Sequence, residues 1–231
     1  MPAKPALSRA TGSTKAKPMA EACPLCRGSN TSKFLKADGK QYWRCPTCQL
    51  TYLEAAGWPT RDAERRHYLS HENHVDDAGY RKFLSRLATP LLERLPPASD
   101  GLDYGCGPGP ALAHMLRQAG HQVALYDPFF RPDEAPLAAT YAFVTCTEVA
   151  EHFHAPAREF ERLCQLLRPG GWLGIMTCFQ TDDASFAAWH YRRDPTHVVF
   201  YKCETLAFVA GRLGWQFESP AKDIALMRKP L

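Results

Sequence analysis

Between positions 102 and 109 the chain reads Leu102-Asp103-Tyr104-Gly105-Cys106-Gly107-Pro108-Gly109: a short strand pattern runs into three alternate glycines, just before helical spacing begins at Ala111. Glycine leaves backbone bare where it must bend sharply or lie against a ligand. A dinucleotide fingerprint needs its third glycine three residues after the second, and position 110 is Pro, so that motif fails. A phosphate loop fails too, because no Gly-Lys-Ser/Thr follows. In open α/β sheets ligands bind at the carboxyl edge of the strands, and an acid about 20 residues after the glycines holds a ribose diol. Asp127, closing Val123-Ala124-Leu125-Tyr126-Asp127, stands where that acid is expected. The ligand therefore carries a ribose and needs close backbone approach without a pyrophosphate site.

The surrounding pattern agrees with this fold. Strand-like and helical segments alternate through 101–104, 111–119, 122–126, 141–145, 157–167 and 172–178, then a helix over 205–213 and a last strand over 224–228. Such alternation predicts a doubly wound, mostly parallel sheet with helices on both faces. Upstream, Tyr80, Phe83, Leu84, Leu87, Leu91 and Leu92 recur at helical spacing within 61–95, and Pro96-Pro97 ends the run.

Asp-x-Gly-x-Gly-x-Gly, the later acid, the string Thr145-Cys146-Thr147-Glu148-Val149-Ala150-Glu151-His152-Phe153 and Leu167-Arg168-Pro169-Gly170-Gly171-Trp172 together resemble a class I S-adenosylmethionine-dependent methyltransferase. The likeness runs from Gly101 to the C-terminus. It implies a Rossmann-like α/β fold with S-adenosylmethionine as cofactor. Asp103 would lie near the cofactor's amino group, and Gly105, Cys106, Gly107 and Gly109 would flank its methionine part. Asp127 would accept the ribose hydroxyls, Phe129 would sit near the adenine, and Thr147 and Glu148 would complete the cofactor set. Only 13 residues, among them Pro128, Pro132 and Pro136, separate Asp127 from Tyr141, which leaves little room for a regular third strand and helix. The acid that contacts the adenine amino group is therefore unassigned.

Methyl transfer needs no covalent intermediate, since a lone pair attacks the sulfonium methyl in line and the protein positions the two reactants. A base matters only where the nucleophile must lose a proton, and histidine suits that near neutral pH. His152 is the first candidate, with Glu151 and His197 as further catalytic candidates. The Glu-x-x-Glu-His spacing also resembles ubiquinone-pathway O-methyltransferases, which implies a divalent ion at Glu148, Glu151 and His152; the structural alternative is that the two acids cap a helix. The segment Trp189 to Tyr201 alternates basic and aromatic residues around a Pro-limited turn. It reads as a substrate lid, with Tyr191, Arg192 and Arg193 facing a polar or anionic acceptor. Tyr68 and His71, ahead of the first core helix, are weaker candidates for closing over the cofactor.

The N-terminal part carries a separate signal. Cys23-Pro-Leu-Cys26 and Cys45-Pro-Thr-Cys48 form two C-x2-C pairs 18 residues apart. Four such thiolates match a closed, structural tetrahedral zinc site, and the ion supplies folding energy that a ribbon of ~35 residues lacks in its own core. Between the pairs, Lys33-Phe34-Leu35 and Gln41-Tyr42-Trp43-Arg44 read as strands joined by an Asp-Gly turn. The expected organisation is a disordered basic tail over 1–20, a zinc ribbon over 21–56, a helical linker or cap over 57–97 and the cofactor-binding domain over 98–231.

Charge bears on the acceptor. Of 28 Lys+Arg and 24 Asp+Glu, four basic residues (Lys4, Arg9, Lys15, Lys17) lie in the tail without an acid, leaving 28 − 4 = 24 of each sign in the rest. A general nucleic-acid groove needs an excess of Lys/Arg, because phosphate neutralisation supplies most of the affinity. In the ribbon Arg27, Lys33, Lys36, Lys40 and Arg44 outnumber Glu21, Asp38 and Glu54 by two, a surplus that Zn²⁺ with four thiolates cancels. The leading expectation is a small-molecule acceptor, methylated at oxygen, nitrogen or carbon; RNA or protein methylation is the alternative, and a non-catalytic cofactor-binding module a third. No run of ~18 apolar residues suggests a membrane span. The first 20 residues have no signal-peptide core, so the chain reads as cytoplasmic.

Overall fold

The computed structural model describes residues 22–70 and 74–231. The expected tail over 1–20 and His71 lie outside the described residues. Among them no helix is long and apolar enough to cross a membrane.

Two antiparallel strands come first, β1 (Ser32–Ala37) and β2 (Lys40–Arg44), joined by Asp38 and Gly39, both with positive φ (49° and 76°). That pair of left-handed residues is the turn that the Asp-Gly signal predicts. β3 (Thr51–Leu53) pairs with β2. Next come α1 (Arg61–Tyr68), capped by the Thr60 hydroxyl, and α2 (Ala78–Leu92), capped by Asp77. The helical spacing of 61–95 thus resolves into two helices.

The large sheet is built from β4 (Asp100–Tyr104), β5 (Gln122–Tyr126), β6 (Tyr141–Thr147) and β7 (Leu167–Met176), with α3 (Ala111–Gln118) and α4 (Pro156–Gln165) as crossovers. α5 (His190–Arg193), β8 (Val199–Phe200), α6 (Cys203–Leu213), β9 (Gln216–Glu218) and β10 (Ile224–Arg228) follow. The strand order is β5-β4-β6-β7-β10-β9, parallel from β5 to β7, with β10 antiparallel to both neighbours. Between Asp127 and Tyr141 there is only a bridge to Arg131 and a 3-10 turn (Ala135–Ala138), in keeping with the short proline-rich stretch.

Period-two alternation divides the sheet's side chains between two apolar layers, as expected when both faces are covered. Phe143, Met176, Ile224 and Leu226 face α2 and α3 through Leu84, Leu87, Leu91, Leu112 and Leu116. Leu102, Val144, Leu173, Ile175, Ala225 and Met227 face the opposite layer with Phe160 and Leu163 of α4 and Leu206 and Val209 of α6. Tyr42, Leu50, Tyr52 and Leu53 of the N-terminal ribbon belong to that second layer.

The ribbon's own sheet has the order β1-β2-β3-β8, so its last strand comes from the lid segment far along the chain. Leu53 N–H donates to the Val198 carbonyl (2.8 Å), and Val198 N–H donates to the Glu151 carbonyl (2.9 Å). The Thr51 hydroxyl donates to Gln180 (2.7 Å), and Arg44 pairs with Asp183 (2.9 Å).

Candidate functional site

A cleft of about 640 Å³ opens at the carboxyl edge of β4, β5 and β6. Its floor is the glycine loop. Gly105 has φ +80°, and a Cβ there would stand 2.4 Å from Val149; Gly107 has φ +64° and nothing within 4 Å of the corresponding position, so bare backbone faces the cleft. Cys106 and Pro108 line it with them. Burial pushes the Cys106 thiol up to about 12, which makes it an inert wall. Gly109 lies behind this lining and accepts from Ala111 N–H as α3 begins.

Asp127 closes one side. Its Oδ2 accepts from Gly107 N–H (3.0 Å), and its Oδ1 from Phe129 and Phe130 N–H (2.8 and 3.0 Å). A carboxylate has about four lone-pair directions, so Asp127 shapes the glycine loop and still keeps accepting capacity toward the cleft. Phe129 lines the mouth, its ring edge-on to Tyr68 at 5.3 Å. Asp103 is buried behind the loop, its Oδ1 accepting from the Thr145 hydroxyl (2.8 Å); burial pushes its carboxyl up to about 6. Thr147 lines the cleft, and its hydroxyl is buried without a hydrogen-bond partner among the described residues. Such a group is satisfied when a ligand supplies the partner.

The acid and histidine cluster follows β6. Glu148, with φ +52°, places its carboxyl 3.5 Å from the Tyr191 hydroxyl; burial and the charge of Glu151 push it up to about 9. Glu151 is fully buried, and its Oε2 accepts from the Thr177 hydroxyl (2.9 Å). His152 Nδ1 lies 3.0 Å from the Thr196 carbonyl, and His197 Nδ1 lies 2.7 Å from the Tyr191 carbonyl. A carbonyl only accepts, so both Nδ1 atoms carry a proton, and in the neutral rings both Nε2 atoms present lone pairs. Those Nε2 atoms lie 3.8 and 4.0 Å from Glu151 Oε1. Glu151, His152 and His197 are the residues that come together; Glu148, expected as a partner in an ion site, turns toward Tyr191 instead.

The lid residues part company. Tyr191 is buried beside Thr177 (3.1 Å) and under the His197 ring (4.1 Å), supporting the cluster from below the cleft lining. Arg192 does not face the cleft. It is 3% exposed and runs into the ribbon, donating to Asp38 (2.6 Å), the Tyr42 hydroxyl (3.3 Å) and the Ala187 carbonyl (2.7 Å). Arg193 is exposed and outside the cleft lining. The expectation that these two arginines meet the acceptor fails because the short helix α5 turns the first toward β2 and the second toward solvent.

Other lining residues escaped the sequence reading, Glu64, Tyr80, Arg158, Glu159 and Arg162, while Asp194 comes from the segment read as a lid. Tyr80 reads as a core position at helical spacing, and nothing local separates it from Phe83. His154 stacks on Trp58 (4.5 Å, 8°) and stands 3.1 Å from Glu64, so the cap forms part of the wall. α1 is drawn across the cleft by His67, which pairs with Asp194 (2.9 Å), and by Tyr68, edge-on to His152 (5.3 Å).

Away from the cleft, the sulfurs of Cys23, Cys26, Cys45 and Cys48 all lie within 4.8 Å of one another. Each pair sits in the same local bend: Arg27 N–H returns to the Cys23 carbonyl and Gln49 N–H to the Cys45 carbonyl, and Arg27 and Gln49 both have positive φ (64° and 61°). Two matching knuckles that converge four thiols make a set that could hold a metal ion.

A mostly parallel sheet with bare glycine backbone and an acid at the carboxyl edge of its parallel strands defines a Rossmann-like α/β protein. Residues 73–219 match the family described as methyltransferase domain, and the chain belongs to that family. It is a class I S-adenosylmethionine-dependent methyltransferase. Among solved structures it is similar to the Burkholderia thailandensis 1,6-didemethyltoxoflavin N1-methyltransferase bound to 1,6-didemethyltoxoflavin and S-adenosylhomocysteine, with 17% identity, 87% of this chain and 100% of that chain covered, and a TM-score of 0.54. It is also similar to the Synechocystis magnesium protoporphyrin IX methyltransferase with bound S-adenosylhomocysteine, with 17% identity, 74% and 94% covered, and a TM-score of 0.48. No curated protein matches the chain.

Proposed function

We propose that the chain transfers the methyl group of S-adenosylmethionine to a small-molecule acceptor at oxygen, nitrogen or carbon. In this reading Gly105, Cys106, Gly107 and Gly109 form the bed for the methionine part, with Asp103 behind them drawing its ammonium group. Asp127 holds the ribose, Phe129 borders the adenine, and Thr147 and Glu148 close the cofactor's side. The acceptor enters between α1 and the Glu151, His152 and His197 cluster. There His152 Nε2 takes a proton where the nucleophile must lose one, while Glu151 and His197 hold that imidazole's surroundings polar. A lone pair of the acceptor attacks the methyl carbon, the sulfur–carbon bond breaks toward sulfur, and S-adenosylhomocysteine leaves.

The observation that carries the small-molecule reading is the roof. α1 is pinned over the cluster by His67 to Asp194 and by Tyr68 against Phe129 and His152. A reacting atom beneath it is reached by a compact molecule more readily than by a macromolecular surface, and the balanced charge of the folded part supplies no phosphate-binding excess. For the ribbon we propose a structural Zn²⁺ on Cys23, Cys26, Cys45 and Cys48, within 21–56 of the chain, followed by a cap over 57–97 and the cofactor domain over 98–231.

Incubation with methyl-labelled cofactor and a fractionated cell extract tests the acceptor class. Label is expected in the small-molecule fraction; label in RNA or protein overturns the reading. Asp127→Asn, which keeps the side chain's shape, is expected to weaken S-adenosylhomocysteine at least about tenfold by calorimetry, and unchanged affinity removes Asp127 from the ribose.

A further inference from the structure

With both imidazoles neutral, three acceptor atoms converge in the cleft. Glu151 Oε1 belongs to a residue that is 0% exposed, and it has no hydrogen-bond partner among the described residues. His152 Nε2 and His197 Nε2 approach it at 3.8 and 4.0 Å. The protons of both imidazoles are already committed to the carbonyls of Thr196 and Tyr191. Lone pairs that face one another in a buried site repel, and an unpaired buried carboxylate oxygen is costly. The arrangement is therefore incomplete as it stands.

A cation would complete it. Imidazoles that ligate metals characteristically give their other ring N–H to a carbonyl or carboxylate, which fixes the tautomer and the ring plane, and both rings here do so. Two nitrogens and one oxygen at bond lengths of about 2.0–2.2 Å stand roughly 3.4 Å apart around a tetrahedral ion; the three ligand atoms, all within 4.8 Å, need only a small inward movement. The Thr177 hydroxyl holds the other oxygen of Glu151, leaving Oε1 free to bind. Asp194 Oδ2, 3.9 Å from His197 Nε2, adds negative charge behind the set. The ligands come from the turn after β6 and from the lid, while all three residues line the cleft, so the remaining coordination positions face the acceptor's side.

We infer that Glu151, His152 and His197 bind a divalent transition-metal ion that is distinct from the four-cysteine site and open to the acceptor. The inference rests on the reading of where the acceptor enters, and it narrows the acceptor class to molecules presenting an ionisable oxygen. With the ion held, His152 Nε2 would be a ligand instead of the base, and the acceptor's hydroxyl would lose its proton to water near neutral pH, because the ion would stabilise the oxyanion. The oxygen lone pair then forms the bond to the methyl carbon, and the electron pair of the sulfur–carbon bond passes to sulfur.

The experiment uses the full chain and Mn²⁺ alone, a probe that favours oxygen and imidazole donors over the thiolates of the ribbon. Titration followed by electron paramagnetic resonance of free Mn²⁺ is expected to show one bound ion per chain. Zn²⁺ added to protein whose ribbon is already loaded is expected to add one further equivalent by elemental analysis. His197→Gln and Glu151→Gln are each expected to weaken Mn²⁺ at least about tenfold, with the melting temperature and S-adenosylhomocysteine affinity measured alongside; two variants guard against one that fails to fold. Neither ion binding in addition to the ribbon's complement, or both variants binding Mn²⁺ like the wild type, overturns the inference. Its failure is distinguishable from failure of the acceptor reading: label in RNA or protein sinks the latter whatever the metal count, and a missing ion leaves labelled small molecules intact.

Discussion

Replacing Arg192 with Met separates two roles that the sequence alone cannot tell apart. As a substrate group, Arg192 would change binding of the acceptor and leave stability alone. Its surroundings predict the opposite. The guanidinium is 3% exposed, donates to Asp38, Tyr42 and Ala187, and lies over the Tyr42 ring at 5.6 Å. Methionine keeps much of the aliphatic volume and loses these polar contacts. Hydrogen bonds involving a charged group contribute about 1.5–3 kcal/mol. The Asp38 side chain is 73% exposed and regains water when its partner leaves, so that contact is left out, and the bonds to Tyr42 and Ala187 set the loss at about 2 kcal/mol. For a chain of this length each kcal/mol moves the midpoint by about 2–4 °C, so thermal unfolding should fall by about 4–8 °C. Calorimetry should show unchanged S-adenosylhomocysteine affinity, and steady-state kinetics should show a lower kcat with little change in the acceptor's KM, since His197 sits on the same segment. An unchanged midpoint with a KM raised tenfold would refute the structural role and return Arg192 to the acceptor site.

Asp103 predicts a pH dependence. Burial raises its folded carboxyl to about 6, so cofactor affinity should hold above pH 6 and weaken below it as the acid protonates opposite the ammonium, read by calorimetry from pH 5 to 8; Asp103→Asn should flatten that profile. The same elevation means that its contribution to stability is full below the unfolded value of about 4 and lost as pH rises through about 6, so Asp103→Asn should gain relative stability above pH 6 in denaturant titrations. Gly105→Ala sets a Cβ at φ +80° and 2.4 Å from Val149; backbone strain of about 1–3 kcal/mol plus overpacking should lower the midpoint by several degrees and weaken the cofactor, and a midpoint within 1 °C of wild type contradicts it. Cys45→Ser should remove the ribbon's zinc by elemental analysis and destabilise β1 to β3 in hydrogen exchange, whereas undiminished zinc would end the assignment.

Much of this was legible because it is local. The strands at 122–126 and 224–228 coincide with β5 and β10, since alternation and flanking turns specify them without help from distant residues. The glycine loop and Asp127 were legible for the same reason: backbone freedom and strand register set both. β7 was misplaced at its start, beginning at Leu167 rather than Trp172, because Pro169-Gly170-Gly171 reads as a break yet is carried inside the strand, with Gly170 at φ +76° and a register shift opposite Tyr141 and Phe143. β8 has two residues, too few for any period to register. The cluster shows the limit most plainly: the Glu-x-x-Glu-His resemblance implied that Glu148 would join Glu151 and His152, but Glu148 adopts φ +52° and turns to Tyr191, while His197 arrives from 45 positions beyond His152.

The ribbon's place follows from the same long-range pairing, and it changes what that segment can be. A zinc ribbon that only tethered a macromolecule would keep its edge strand free and its core to itself. Here β3 is completed by β8, and Tyr42, Leu50 and Leu53 share an apolar layer with Leu102 and Val144 of the central sheet. Backbone hydrogen bonds from Leu53 to Val198 and from Val198 to Glu151 then join the ribbon to the Glu151, His152 and His197 cluster. Loosening the knuckles frees β3, frees β8 with it, and lets His197 leave Glu151. Loss of the ribbon's metal should accordingly lower kcat before it lowers cofactor affinity, because the glycine loop and Asp127 follow β4 and β5, which do not pair with the ribbon's sheet.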